Sequence, residues 1–269
     1  MLVGAVTGFI ALDRTGSLEL GVLAALAAGA LLGLLHAFLT VTLGADQIVA
    51  GLALTIFGTG LSAYLGRDVV GKPARDSFDA LAIPLLHEIP WVGPVLFDQN
   101  VLVYGSYVLV AVTWIVLFRT RLGLHLRAVG ESAGTADAMG VSVAGLRYGA
   151  VMVGGSLAGL AGAYLSLART PGWNEGMTAG RGWIAVGLVI FARWNPIGAL
   201  AGGFLFGLME ALNFQAQAVG ITLSPFFLGM LPYLMVIIVV VLGSRSAARK
   251  RLGAPAALGR PYVRGERGA

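Results

Sequence analysis

Long apolar runs, broken at intervals by short charged stretches, constrain this chain more than any other feature. They extend over about 18–43, 47–66, 101–118, 146–168, 197–219 and 226–243. An α-helix rises about 1.5 Å per residue, so a hydrocarbon core of about 30 Å takes roughly 20 apolar residues. The runs meet or approach that length. Only 12% of the residues are charged and 57% are hydrophobic, against roughly 25% charged in a soluble domain. Many of the 40 glycines sit inside the apolar runs, where small residues let membrane helices approach closely.

The same pattern excludes several function classes. A formal charge of +5 does not point to nucleic acid, because the basic residues flank the ends of the apolar runs, where orientation signals belong. With no cysteine, no disulfide, thiolate metal site or cysteine nucleophile is available. No metal-ligand cluster, carboxylate pair or Ser–His–Asp set can be assembled, so no catalytic residue is named and the chain is not expected to be an enzyme. Met1 opens directly on apolar residues without a basic n-region, so no signal peptide is expected.

The expected fold is all-α: a polytopic transmembrane helical bundle of about seven crossings plus a partial N-terminal helix, Met1–Leu12, too short to span alone. Residues 1–243 form the transmembrane domain and 244–269 a basic tail with seven basic residues and one acidic. The interval 67–100 holds four prolines, three basic and five acidic residues. It reads as an external loop with a short amphipathic piece around Leu81–Leu86. Positive charge stays inside, which puts the 119–147 loop and the tail on the cytoplasmic side. Segment 182–192 is short and is broken by Arg193-Trp194-Asn195-Pro196. It counts as a short or broken crossing, because a re-entrant loop would place the two basic regions on opposite sides.

Within the 119–147 loop, Ser132 can cap a short helix and Gly140 can close it in the left-handed conformation. Between them lie about two turns of mostly small residues, too short and polar to cross a membrane. An ordinary amphipathic loop helix explains them as well as a socket in a soluble partner does. Here the chain resembles a known family, the permease subunits of ATP-binding cassette importers, in the branch serving nucleosides, simple sugars and branched-chain amino acids. The resemblance is carried by Gly44-Ala-Asp-Gln-Ile-Val-Ala-Gly-Leu-Ala-Leu54, and by Leu126-Arg-Ala-Val-Gly-Glu131 with Ala136-Asp137, Gly140 and Leu146-Arg-Tyr148. Its most specific part is Ala179-Gly-Arg-Gly-Trp-Ile-Ala185 with Ile190-Phe-Ala-Arg-Trp-Asn-Pro-Ile-Gly198. This part is similar to the subgroup that imports nucleosides or related sugars. The family pattern has a further span and a Gly-rich turn ahead of the run that opens here at Met1.

The resemblance implies that Arg127, Glu131, Ser132, Ala136, Asp137 and Gly140 form the surface that couples to an ATPase. It implies a separate ATPase subunit holding ATP and Mg, a second permease subunit making a hetero-dimer, and an extracytoplasmic solute-binding lipoprotein. The chain itself has no phosphate-binding loop, so no cofactor is expected on it. Its place is the inner cell membrane, with the C-terminus cytoplasmic.

Polar residues inside spans invite a functional reading. Glu210, Asn213, Phe214 and Gln217 recur at helical spacing and share one face. They are candidates for the translocation pathway, as is Gln47; the bland alternative is that they cement helix contacts. His36, alone on a long span, reads as a hydrogen-bonding packing residue. Asp46 reads as the cap of the following helix, and Asn195-Pro196 as a stop and restart. Trp173 and Trp183 read as outer belt residues and Trp194 as an inner one. The leading reading is a nucleoside or simple-sugar permease, with a branched-chain amino acid permease as the runner-up. A stand-alone carrier or channel is disfavoured, because no inverted repeat is evident.

Overall fold

In the computed structural model, the described residues are 1–84, 88–89, 93–218, 230, 234, 237–238, 241 and 254–262. The expected last span, 226–243, falls almost wholly outside them. The chain order is α1 (Leu2–Thr15), α2 (Leu18–Ala37), α3 (Gln47–Gly66), β1 (Ala80–Ala82), α4 (Gly93–Leu96), β2 (Asp98–Asn100), α5 (Val101–Arg119), α6 (Arg121–Glu131), α7 (Ala133–Ala138), α8 (Val143–Tyr164), α9 (Arg181–Phe191) and α10 (Pro196–Ala218). Short π-helical turns, Phe38–Thr42 and Leu165–Arg169, extend α2 and α8.

Four helices among the described residues are long and apolar enough to cross a membrane: Leu18–Thr42, Gln47–Gly66, Val101–Arg119 and Val143–Arg169. Each internal backbone group must be paired within the helix, because lipid offers no partners. The ends are set by side chains. Ser17 and Ser142 accept from Leu20 and Gly145 N–H at 3.3 Å, and Asp46 Oδ1 accepts from both Ile48 and Val49 N–H at 2.9 Å. The Asp46 cap is therefore the one the sequence suggested, and its charge faces the positive end of the α3 dipole.

The chain divides into two compact units. In the first, α1, α2 and α8 pack on one another along a seam of glycines. A Cβ at Gly4 would lie 2.5 Å from the Gly159 backbone, one at Gly159 would collide with the Ala25 carbonyl, and one at Gly29 with the Gly155 carbonyl. Lipid tails are as apolar as leucine, so close backbone approach and dispersion hold these helices together. Where the glycines stop, larger side chains close the gap. Phe9 and Val6 meet Val69 and Trp173 in one cluster, and Leu12 meets Ala25, Ala163 and Leu167 in another. Ser166 Oγ, in the π-turn, donates to the Ala5 carbonyl at 2.9 Å.

Two ends of this unit can be distinguished. At one, the 13–17 turn is tied to the segment after α3 by Arg75–Asp13 at 3.3 Å. That segment also pairs with the one after α8, through Gly71 N–H to Trp173 C=O at 3.1 Å and Phe78 N–H to Leu167 C=O at 3.0 Å. At the other end lie the α2–α3 turn and α7, and there the Thr42 hydroxyl hydrogen-bonds with that of Tyr148 near the start of α8.

The second unit contains α9, α10 and most of α5. The first two form an antiparallel pair. Gly198 sits against Ala192, where a Cβ would lie 2.7 Å from the Ala192 carbonyl oxygen, and Gly202 against Leu188 and Phe191. The tight connection places Arg193 and Trp194 at φ of 53° and 59°, a left-handed conformation that costs a non-glycine residue roughly 1–2 kcal/mol. Asn195 Oδ1 then accepts from Ile197 N–H at 3.0 Å, so Asn195-Pro196 restarts the helix as expected.

Several expectations change. The partial helix α1 is the most enclosed element, with Ala5, Val6 and Leu12 at 0% exposure. Trp173 is no belt residue: it is fully buried, because the chain after α8 folds inward and sets the indole on α1. Trp183 is 64% exposed, as a belt residue would be. His36 was expected to hydrogen-bond, yet its buried Nδ1 has no partner among the described residues. Residues 80–82 pair with 98–100 as antiparallel strands, in place of part of the amphipathic piece. The helix α6 occupies 121–131, which the sequence reading left as loop. With 11 residues, α9 is about 16 Å long, half of a hydrocarbon core.

Candidate coupling and pathway sites

The coupling loop is built from a sharp helix junction, a capped two-turn helix and a glycine stop. Thr120 donates through Oγ1 to the Val116 carbonyl at 2.7 Å and accepts from Gly123 N–H at 3.2 Å, which turns α5 into α6. Along α6, Leu122, Leu126 and Val129 share one face, and of these Val129 is buried. Ser132 then takes an extended conformation and accepts from Thr135 N–H at 3.4 Å. At the far end Gly140 sits at φ 81°. Val141 N–H reaches the Ala136 carbonyl at 3.0 Å and Gly140 N–H the Asp137 carbonyl at 2.9 Å. This is the double bond pattern of a Schellman stop, which a Cβ at Gly140 would strain.

The two faces of α7 differ. Ala133 and Ala136, 7% and 4% exposed, pack inward on Val129 and Val143, with Val141, Leu146 and Tyr262 around them. Gly134, Thr135, Ala138 and Met139 point outward, and Met139 is 80% exposed. Of the six expected coupling residues, Arg127, Glu131, Ser132 and Gly140 are exposed and Asp137 is half-buried. Ala136 lies on the inner face, where it packs on Val129 and Val143. Met139, not among the six expected residues, is a lone large apolar side chain that follows a helix of small ones. Two cavities of about 410 Å³ flank this turn. One is lined by His125, Met139 and Leu146, the other by Val41, Asp137, Arg147 and Tyr262.

The pathway candidates divide between the units. Gln47 is half-buried at the start of α3, in the first unit. Glu210, Asn213, Phe214 and Gln217 all fall within α10 in the second. There Glu210 Oε1 accepts from Arg181 Nη2 at 2.8 Å, with side chains 30% and 32% exposed. The arginine from the start of α9 thus balances the one acidic group of α10. Phe204 of α10 stacks on Tyr107, ring centres 6.1 Å apart at 29°. The side chains of Asn213 and Phe214 lie outside the described ones, and Gln217 is exposed. Among the described residues no group of acidic and histidine side chains could hold a metal ion.

Comparison with known proteins finds permeases of transport systems. The family described as "Branched-chain amino acid transport system / permease component" matches residues 1–240. A Haloferax volcanii protein named "Putative glucose ABC transporter permease protein" is 43% identical over 84% of this chain and 69% of its own length. A guanosine ABC transporter permease protein of Bacillus subtilis is 32% identical, over 92% of this chain and 78% of its own. A nucleoside ABC transporter permease protein of Lactococcus lactis is 38% identical, over 80% and 69%. No solved structure matches.

Proposed function

The chain belongs to the family of permease components of branched-chain amino acid transport systems, and on that premise we propose that it imports nucleosides or simple sugars. It is a multi-pass membrane permease of the ATP-binding cassette type, a transport component and not an enzyme. The observation that carries the mechanistic reading is α7. It is a two-turn helix fixed at both ends, buried on one face, with Met139 exposed at its tip.

A soluble ATPase subunit that moves on nucleotide binding needs a rigid handle, and a double-capped helix packed on α8 supplies one. In this reading Met139 and the small residues beside it sit in a groove of the ATPase, flanked by Arg127, Glu131 and Asp137. The α7 end of the first unit faces the cytoplasm, and the 67–79 and 170–177 segments face outward toward a solute-binding lipoprotein. A second permease completes the pathway. The polar face of α10 offers Glu210, Asn213 and Gln217 to hydroxyls or a base, with Phe214 available for stacking. The choice of nucleosides or sugars rests on the relatives that transport guanosine, nucleosides and glucose.

The test is uptake by the complete importer in proteoliposomes, with ATP inside and labelled guanosine, glucose or leucine outside. ATP-dependent accumulation of guanosine or glucose, unaffected by excess leucine, is expected. Accumulation of leucine alone would move the chain to the amino acid branch, and ATP-independent flux would remove the cassette mechanism.

A further inference from the structure

The tail returns to the coupling loop. Residues Ala257–Tyr262 lie outside the stretch matched by the family, which ends at 240, yet they pack on the loop that the family reading places against the ATPase. The local structure is dictated by sequence. Arg260 N–H bonds back to the Ala257 carbonyl at 3.2 Å, closing a turn whose third residue, Gly259, has φ 73°. A positive φ at that position is what glycine supplies at no steric cost. Pro261 follows and keeps the chain extended.

Three contacts then fix this turn to the loop. Ala257 N–H donates to the Gly130 carbonyl at 2.9 Å, at the end of α6, immediately before the α7 cap. Arg147 Nη1 donates to the Arg260 carbonyl at 3.2 Å. The Arg147 guanidinium also lies 6.0 Å from the Tyr262 ring centre, within reach of a cation–π attraction. Tyr262 itself packs against the cluster of Val129, Ala133, Ala136 and Val143, which is the inner face of α7. The alanines of that face are too small to fill the space alone, and the tyrosine ring completes it.

We propose that Arg147 and Tyr262 are positioning residues that strap the tail across the loop and set the pose of α7 for its ATPase. The proposal rests on the reading of α7 as the coupling helix. The strap holds the inner face of the helix in place while the outer face, with Met139, remains free to dock. Without it the helix keeps both caps but loses a wall of its packing, and motion of the ATPase is partly spent in tilting α7. Hydrolysis then proceeds with less transport per ATP.

The experiment uses the full importer with Tyr262→Ala, Tyr262→Phe, Arg147→Gln and, as a separate arm, Met139→Asp. Spin labels at Ala128 and Leu258, each introduced through cysteine into a chain that has none, report whether the strap is seated. Tyr262→Ala and Arg147→Gln are expected to lengthen that distance and to raise ATP consumed per solute roughly threefold or more, with the ATPase still bound. Tyr262→Phe, which keeps the ring, restores both. Met139→Asp is expected to release the ATPase with the strap distance unchanged. A normal ATP-to-solute ratio in Tyr262→Ala, with Met139→Asp releasing the ATPase, overturns the strap and leaves the coupling reading standing. Retention of the ATPase by Met139→Asp overturns the coupling reading itself.

Discussion

Glu210 illustrates what a residue's position says before its partner is known. Its helical spacing with Asn213, Phe214 and Gln217 was legible, because period 3.6 needs only the sequence. That Arg181 reaches it was not, since the chain between them, a sequence separation of 29, includes the left-handed turn at Arg193 and Trp194 that folds α9 back. A half-buried ion pair in a membrane protein is sensitive to loss of one partner, because the survivor keeps its desolvation cost. Glu210→Leu or Arg181→Leu should each destabilise the purified chain by about 1–2 kcal/mol, the range of a charge-assisted hydrogen bond in a partly open site. The double variant should recover thermal stability. If Glu210 also serves the pathway, uptake stays low in the double variant, so stability and uptake part company. Recovery of both would make the pair purely structural.

At the scale of the element, the caps were the most readable feature. Asp46, Ser132, Asn195 and Gly140 each act through neighbours within a few residues, which is the range over which sequence alone specifies geometry. Faces were less so: Ala136 of α7 packs inward on Val129 and Val143 while Met139, just past the helix end, points out, and spacing alone does not separate them. Trp173 failed as a belt residue for the same reason, its environment being made by α1, over 150 residues earlier in the chain. The glycine seam gives the sharpest element-scale prediction. Gly159 meets α1 through Gly4 and α2 through Ala25 and Gly29. Gly159→Leu must push backbone, not a flexible side chain, and overpacking of that kind costs about 1–3 kcal/mol or more. Gly154→Leu, with open space around it, should cost little. Melting of the two purified variants by intrinsic fluorescence distinguishes them, and equal loss in both would mean that the seam is not the contact holding the bundle.

For the whole molecule, apolar run lengths specified an all-helical membrane protein, because lipid leaves so few alternatives. They marked 182–192 as short, in keeping with the 11 residues of α9, but could not specify that the chain folds as two units. Sidedness can be tested directly. An impermeant thiol reagent added to intact cells should label Asp76→Cys and spare Ala138→Cys, whereas inside-out vesicles stripped of the ATPase should reverse the pattern. Labelling of Ala138→Cys from outside would invert the proposed orientation.

The glycine seam also bears on how force crosses the bilayer. Side chains between helices can change rotamer and so absorb a displacement; bare backbone in contact has no such slack. Helix α8 with its π-turn runs for 27 residues, about 40 Å, from the loop that carries α7 to the segment that carries Trp173. Since α1 and α2 meet it backbone to backbone, the three cannot slide past one another in small steps. On the proposed reading of α7 they behave as one push-rod, and a shove delivered there is carried to the Trp173 end.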